Sequence, residues 1–396
     1  MRKKRTPSLD LFVAEPFRFF FLFGVIGGLI GVMKWPYMFW AESASYPGLN
    51  HAFLMVEGFF AAFIYGFALT ALPRMMDSSQ RSAFGTFLLA GVFIVTQIML
   101  SHGPGWWGNV LFLLGLIIFS LLLLMHARHR ECLPPPGFVL LVPAVLCAIV
   151  GSILYLIDWG EEASGFVLQM RSLLLFQAWP LLPFLGVSPF FLPKFVQCPS
   201  KHDLPDSQSP TLEWALCVGS AVVLFLGVLV SMVLEASGLS RTGLIVRGCF
   251  IGWYLLKELP KPLLFFKGDK LIKCLSFCLW ALPLAYLFAG LLPAYRVAWV
   301  HWSLVGGLSA LTLMVATRVM MGHSGKMHLL RKKSAWVLVM VVLIWIGMVS
   351  RVSGDIWPKI MKSHYIYGAI CWGAAVIIWI IKVLPCAFHQ DTDEGS

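Results

Sequence analysis

Residues 51–73 read His51-Ala-Phe-Leu-Met-Val-Glu57-Gly-Phe-Phe-Ala-Ala-Phe-Ile-Tyr-Gly66-Phe-Ala-Leu-Thr-Ala-Leu-Pro73. Glu57 is the one charged side chain in this run. At about 1.5 Å per residue the run is long enough to cross a hydrocarbon core of about 30 Å as a helix. A backbone inside lipid has no water to bond, so it satisfies its own N–H and C=O groups by coiling. Eleven further apolar runs surround it, giving predicted spans over 19–33, 53–72, 83–100, 106–125, 137–157, 165–187, 214–234, 242–256, 271–292, 297–316, 335–350 and 365–381. The eighth is short and contains Arg247.

Composition points the same way. Of 396 residues, 59% are hydrophobic and 12% charged, and the mean hydropathy is +0.82. Soluble domains carry about 25% charged residues, so a soluble enzyme, a disordered scaffold and a disulfide-stapled secreted domain are excluded. The net charge of +11 reflects membrane topology and implies no nucleic acid. Alternate loops hold Arg74 and Arg81, Arg128 and Arg130, Lys194 and Lys201, Lys257 and Lys261, and Lys326. The others hold Asp158, Glu161, Glu162 and Glu235, with few basic residues until the last, which holds Arg351, Lys359 and Lys362. By the positive-inside rule both termini are cytoplasmic, and Met1–Arg5 anchors an uncleaved first helix.

The predicted fold is an all-α polytopic membrane protein, a bundle of about twelve transmembrane helices. It forms a single integral membrane domain over 1–396: helices 1–6 in 1–196, a cytoplasmic loop at 197–212 and helices 7–12 in 213–396. The nine cysteines show no CxxC or zinc spacing, and buried thiols are expected.

Ionisable groups inside a membrane are costly and mark candidate sites. The topology puts His51 at the outer end of the second span and Glu57 about 9 Å further in. Arg171 and Arg247 lie a few residues inside the sixth and eighth spans, and His301 lies near the outer end of the tenth. Gln97 and His102 close the third span and His364 opens the twelfth. All fall in one layer, the outer third. Arg171 and Arg247 cannot easily reach water, and a guanidinium matches carboxylates bidentately, so they suit an anionic partner such as haem propionates. Glu57 either serves that cofactor or neutralises one of the arginines. His51 and His301 are the expected axial ligands of a haem plate, with His102 and His364 as further metal-ligand candidates or ordinary interface histidines.

Three stretches carry a resemblance. They are the run from His51 to Pro73, the tenth-span pattern His301…Gly306-Gly307…Thr317-Arg318-Val319-Met-Met-Gly322-His323-Ser-Gly325, and Pro16-Phe-Arg18-Phe-Phe-Phe-Leu-Phe-Gly24. Together they resemble the NnrS family, twelve-helix bacterial inner-membrane proteins described as containing haem and copper and linked to the nitric oxide response. The resemblance implies haem b held by His51 and His301, and a redox or gaseous ligand such as nitric oxide. It also implies a membrane or periplasmic electron-transfer partner, besides the lipid bilayer itself. The family's second helix reads His-Ala-His-Glu-Met, whereas this chain has Phe53 and Leu54 at the third and fourth positions. Copper therefore requires ligands from elsewhere. Histidines on a second and a tenth helix also resemble the low-spin haem arrangement of haem-copper oxidases, an analogy of fold alone.

Arg318 and His323 lie at the inner end of the tenth span, too far from His301 for one haem, and are expected to cap the helix. Two other functions use the same residues. A metal-free anion transporter would place its substrate on the arginines, with Pro180, Pro183, Pro189 and Pro193 breaking the sixth helix. A structural subunit of another membrane complex would have lost the cofactor.

Overall fold

The computed structural model describes residues 9–389 apart from 42–45, 104, 158–163, 196, 267–269 and 328–334. The expected anchor Met1–Arg5 and the acidic residues Asp158, Glu161 and Glu162 lie outside the described residues. No strand is present among the described residues. Among the described residues, twelve long helices run α1 Phe17–Trp40, α2 Gly48–Met75, α3 Ala83–His102, α4 Trp106–Arg128, α5 Pro136–Ile157 and α6 Gly165–Lys194. They continue as α7 Leu212–Ala236, α8 Ser240–Glu258, α9 Lys270–Leu291, α10 Pro293–Gly322, α11 Ala335–Ile356 and α12 Pro358–Ala387.

Eleven of these are long and apolar enough to cross a membrane; α8 is the exception by composition. It packs between α7 and α9. Arg18, at the start of α1, bonds to the carbonyls of Cys386 and Ala387 at the end of α12. The start of α1 and the end of α12 therefore share one face, which requires an even number of crossings. With eleven helices long and apolar enough to span, α8 completes the even number, and its buried charges Arg247 and Glu258 are paired inside the bundle.

Three helices form the centre. In their most apolar windows α6, α2 and α10 are 89%, 78% and 67% buried, against 33% for α3 and α11. The outer helices turn Leu121, Val142, Leu226, Val230 and Ile346 outward, where lipid rather than water meets them. Each central helix widens once into a π-helical stretch, at Leu54–Phe60, Leu174–Ala178 and Trp302–Ser309. In α6 the cause is legible: Pro180 and Pro183 have no amide hydrogen for the carbonyls four residues earlier. Glycines on α1 let α2 approach closely. A Cβ on Gly24 would lie 2.7 Å from that of Ala62, and one on Gly31 2.9 Å from that of Leu54.

At the basic face, Arg18 is 1% exposed and donates to four backbone carbonyls, those of His323, Cys386, Ala387 and His389. These carbonyls lie at the ends of α10 and α12, where helical partners run out. Its counter-ion is Glu15, 2.6 Å away, which also meets Arg74 at 2.5 Å and His323 Nδ1 at 2.8 Å. α10 ends at Gly322, Gly325 adopts φ +66°, and His323 anchors the turn. His323 therefore anchors the helix end as expected, with Glu15 and Arg74 as partners, whereas Arg318 donates to the Lys194 carbonyl at the end of α6 at 3.1 Å.

Burial alone would raise the Glu15 carboxyl, but the hydrogen bond and charge of His323 and the Arg18 guanidinium outweigh it. They lower the group from 4.5 to about 2. A depressed folded-state pKa adds stability that is present above the unfolded value and lost as pH falls through the folded one. Thermal unfolding in detergent should show a drop of roughly 3 kcal/mol between about pH 4.5 and 2 that is missing in Glu15→Gln. Arg18→Ala should cost about 3–5 kcal/mol at neutral pH, because Glu15 loses its buried partner. Unchanged unfolding of both variants would remove this knot from the account of stability.

Candidate functional site

Gly31 brings α2 against α1, and its carbonyl accepts from His51 Nδ1 at 2.9 Å. One helix away, the Val297 carbonyl accepts from His301 Nδ1 at 2.8 Å. A carbonyl only accepts, so both rings carry their proton on Nδ1 and leave the Nε2 lone pair for a ligand. The two imidazoles come from α2 and α10, with ring centroids 6.5 Å apart and planes 11° from parallel. Two imidazoles on opposite sides of one metal ion, with metal–nitrogen bonds of about 2 Å, place their centroids a little over 6 Å apart. The helix enters its π stretch directly after His301 and three residues after His51, a feature that concentrates at functional sites.

Both rings line a cavity of about 360 Å³ near the face opposite the Arg18 knot. Its wall is largely aromatic and aliphatic, with Trp35, Tyr365 and Trp372 prominent and Arg296, Arg351, Gln177 and Ser172 as polar members. Arg351 Nη1 lies 2.5 Å from Asp355 Oδ1, an ion contact without hydrogen-bond alignment. Its guanidinium sits 3.9 Å over the Tyr365 ring, whose hydroxyl donates to Asp355. Arg351 is also within electrostatic reach of both histidines. Arg296 reaches Glu235 at 2.5 Å.

The cavity thus has two arginines, but not the two predicted. Arg247 is fully buried and donates to Glu235 at 2.7 Å, Gln177 at 2.7 Å and Ser231 at 3.0 Å. Its hydrogen-bonding capacity is spent inside the bundle, and it does not line the cavity. Arg171 stacks 4.3 Å over Tyr155 and also stays out of the wall, although its neighbour Ser172 is part of it. Glu57 is fully buried on a side of α2 that does not line the cavity. Neither of its carboxyl oxygens has a hydrogen-bond partner, and the expected ion pair with Arg171 or Arg247 does not form. His102 is exposed and back-bonded to Ile98, and His364 is bonded to Ile360; neither reaches the cavity.

Arg351 was predicted for the last outer loop, yet it lies inside α11. The signal was Asp355 four residues later: opposite charges one turn apart extend a helix past its apolar run. Tyr365 and Trp35 had no signal, since aromatic residues near a span end are ordinary belt residues. Phe53 and Leu54 are fully buried, and Phe53 packs on Tyr155 and Phe176 at 5.2 and 5.5 Å. These two positions are core, and supply no ligand.

Among the described residues, one other cluster has donor atoms in metal-binding reach. His202, Cys217 and Glu258 are buried at the basic face with ligand atoms within 4.8 Å of one another. There His202 Nδ1 accepts from the Gly137 N–H at 3.2 Å, which puts the ring proton on Nε2, 3.2 Å from Glu258 Oε2. A metal-bound histidine donates through its second nitrogen rather than accepting. The cluster is a hydrogen-bonded clasp joining the 197–212 loop to α5 and α8. No disulfide forms among the described residues.

The family model described as "NnrS protein" matches residues 11–390. No curated protein matches the chain.

Removing Glu235 leaves Arg247 as an uncompensated buried charge. Glu235→Ala should destabilise the protein in detergent by about 3–5 kcal/mol. Arg351→Gln, which removes an ion contact lacking hydrogen-bond alignment from a side chain 12% exposed at the cavity wall, should cost under about 1.5 kcal/mol. Equal losses for the two variants would contradict the division between a structural and a cavity arginine.

Proposed function

This chain belongs to the NnrS family, and on that premise we propose that it is a haem-binding membrane protein with His51 and His301 as axial ligands. The observation that carries the reading is the histidine pair, with both Nδ1 atoms tied to carbonyls and the ring spacing suited to one metal ion. The bound haem would supply one-electron chemistry, its potential set by ligands, burial and nearby charge.

The residues of the chain have separable tasks. The Gly31 and Val297 carbonyls fix each ring's orientation and make its Nε2 a stronger donor. Arg351 and Arg296 face the cavity as partners for propionate carboxylates, Arg351 the more available because Arg296 already serves Glu235. The positive charge of Arg351 beside both rings favours the state with one more electron. Trp35, Tyr365 and Trp372 keep water from the rings.

Two histidines on one iron leave no position for a gas. The reading that follows is electron transfer within the nitric oxide response or related redox chemistry of a bacterial inner membrane, with another protein as electron partner. Copper has no place at positions 53 and 54 in this reading. The anion-transport alternative loses support, because Arg247 is committed to Glu235.

The test is a reduced-minus-oxidised optical spectrum of the detergent-purified chain, with iron determined alongside. A b-type spectrum is expected, absent from His51→Ala and His301→Ala. Arg351→Gln should retain haem and lower its midpoint potential. A colourless protein from haem-replete cells would overturn the haem reading, as would a spectrum unchanged in both histidine variants.

A further inference from the structure

The loop between α11 and α12 departs from the charge pattern of the other outer loops. It carries Lys359 and Lys362 at the cavity end of the bundle, where lysines contribute nothing to topology. Both side chains are exposed. Asp355, the acidic residue nearest to them in sequence, is already held by Arg351 and by the Tyr365 hydroxyl. Lys362 instead reaches across to the end of α1, its Nζ 5.8 Å from the centre of the Phe39 ring.

The same ends of α1 and α12 frame the histidine cavity. Phe39 lies one turn after Trp35, and Lys362 lies one turn before Tyr365. Trp35 and Tyr365 meet edge to face, with ring centroids 4.9 Å apart. Trp35 also meets His51 at 6.0 Å and Tyr46 at 5.3 Å, both edge to face and both at spacings normal for aromatic contact. Trp35 is 6% exposed, whereas Tyr46 is 75% exposed. Three rings in successive contact therefore join the open surface to one of the two cavity histidines. Electron transfer weakens steeply with the gap to be crossed, and rings in contact leave little gap. An exposed aromatic ring beside free lysines is also the composition that an acidic protein partner meets well.

We propose that the corner formed by Tyr46, Lys359 and Lys362, at the outer ends of α1, α2 and α12, docks an acidic electron-donor protein. The electron enters through Tyr46 and Trp35 toward His51. The proposal rests on the haem reading above for the destination of the electron, and not for the docking. In each encounter one electron leaves the reduced centre of the partner and arrives at the group held by His51 and His301. The partner is oxidised by one electron, that group is reduced by one, and no bond forms or breaks. The two lysines steer the encounter and orient the partner. Arg351, 3.9 Å over the Tyr365 ring and 5.9 Å from that of Trp35, keeps the inner end of the path positive.

The experiment uses the full chain in detergent, with an acidic plant-type ferredoxin as the probe, and has two readouts. The first needs no cofactor: a carbodiimide joins probe carboxylates to lysines of the chain, and mass spectrometry locates them. Cross-links at Lys359 and Lys362 that vanish at high salt are expected. Cross-links confined to Lys194, Lys201, Lys257 and Lys261 at the opposite face, or none, would overturn the proposal. The cross-links should persist in nanodiscs containing phosphatidylglycerol; their loss there would assign the lysines to lipid phosphates and overturn it equally. The second readout is the rate of haem reduction by the reduced ferredoxin. At low salt it should fall roughly tenfold in the double variant Lys359→Glu/Lys362→Glu with the optical spectrum unchanged, and the difference should close at high salt. Glutamates at the start of α12 suit the helix dipole, so this variant keeps its fold. Tyr46→Ala should slow the same step at unchanged cross-linking. Equal rates in the lysine variant overturn the steering, and an unchanged rate in Tyr46→Ala overturns the ring path. A colourless chain that still cross-links at the two lysines removes the haem reading and leaves the docking surface standing.

Discussion

The contact on which this bundle most depends is the Arg18 guanidinium against the carbonyls that end α10 and α12. Helix ends in a membrane protein expose carbonyls with no intrahelical partner, and here one buried cation answers four of them. Glu15 neutralises that cation and draws in Arg74 from the end of α2 and His323 from the end of α10. The knot therefore fixes α1, α2, α10 and α12 at one face. The same four helices supply Gly31 and Trp35, His51, His301, and Tyr365 with Trp372 at the cavity. Positions of the histidines thus depend on a contact at the far end of their helices.

A second network answers the same cost of charge near the other face. Glu235 at the end of α7 is shared by Arg247 on α8 and Arg296 on α10, and Arg247 reaches across to Gln177 on α6. Breaking it would leave full charges in low dielectric. The network also gives α8 the means to cross in spite of its polar composition, and it orients Arg296 and Gln177 along the cavity wall. Structural charge and cavity charge meet there at a single residue, Arg296.

The three π-helical stretches connect backbone to site. Each inserts a wider turn into one of the three central helices. All three contribute to the cavity wall, through Met55 and Val56, Phe176 and Gln177, and Leu304 and Val305. In α2 the same stretch contains Glu57, which is buried outside the cavity wall. One backbone irregularity therefore carries both cavity residues and a buried carboxyl.

The sequence by itself determined the helices, their number and the histidine pair. Apolar length and the alternation of loop charge are properties of the chain that lipid reads directly, and His51 and His301 fall at matching depths on any bundle built from those spans. The motif around Gly322 and His323 was legible as a helix end because glycine and histidine mark one chemically. Tertiary structure alone decided which arginines face the cavity. Depth along a helix can be counted from sequence, but rotation about its axis depends on neighbours and, here, on π turns that shift every later residue. Arg247 and Arg171 had the right depth and the wrong direction. Arg351 had the right direction and lay past the end of an apolar run, where hydropathy stops reporting a helix that Asp355 and Tyr365 hold together.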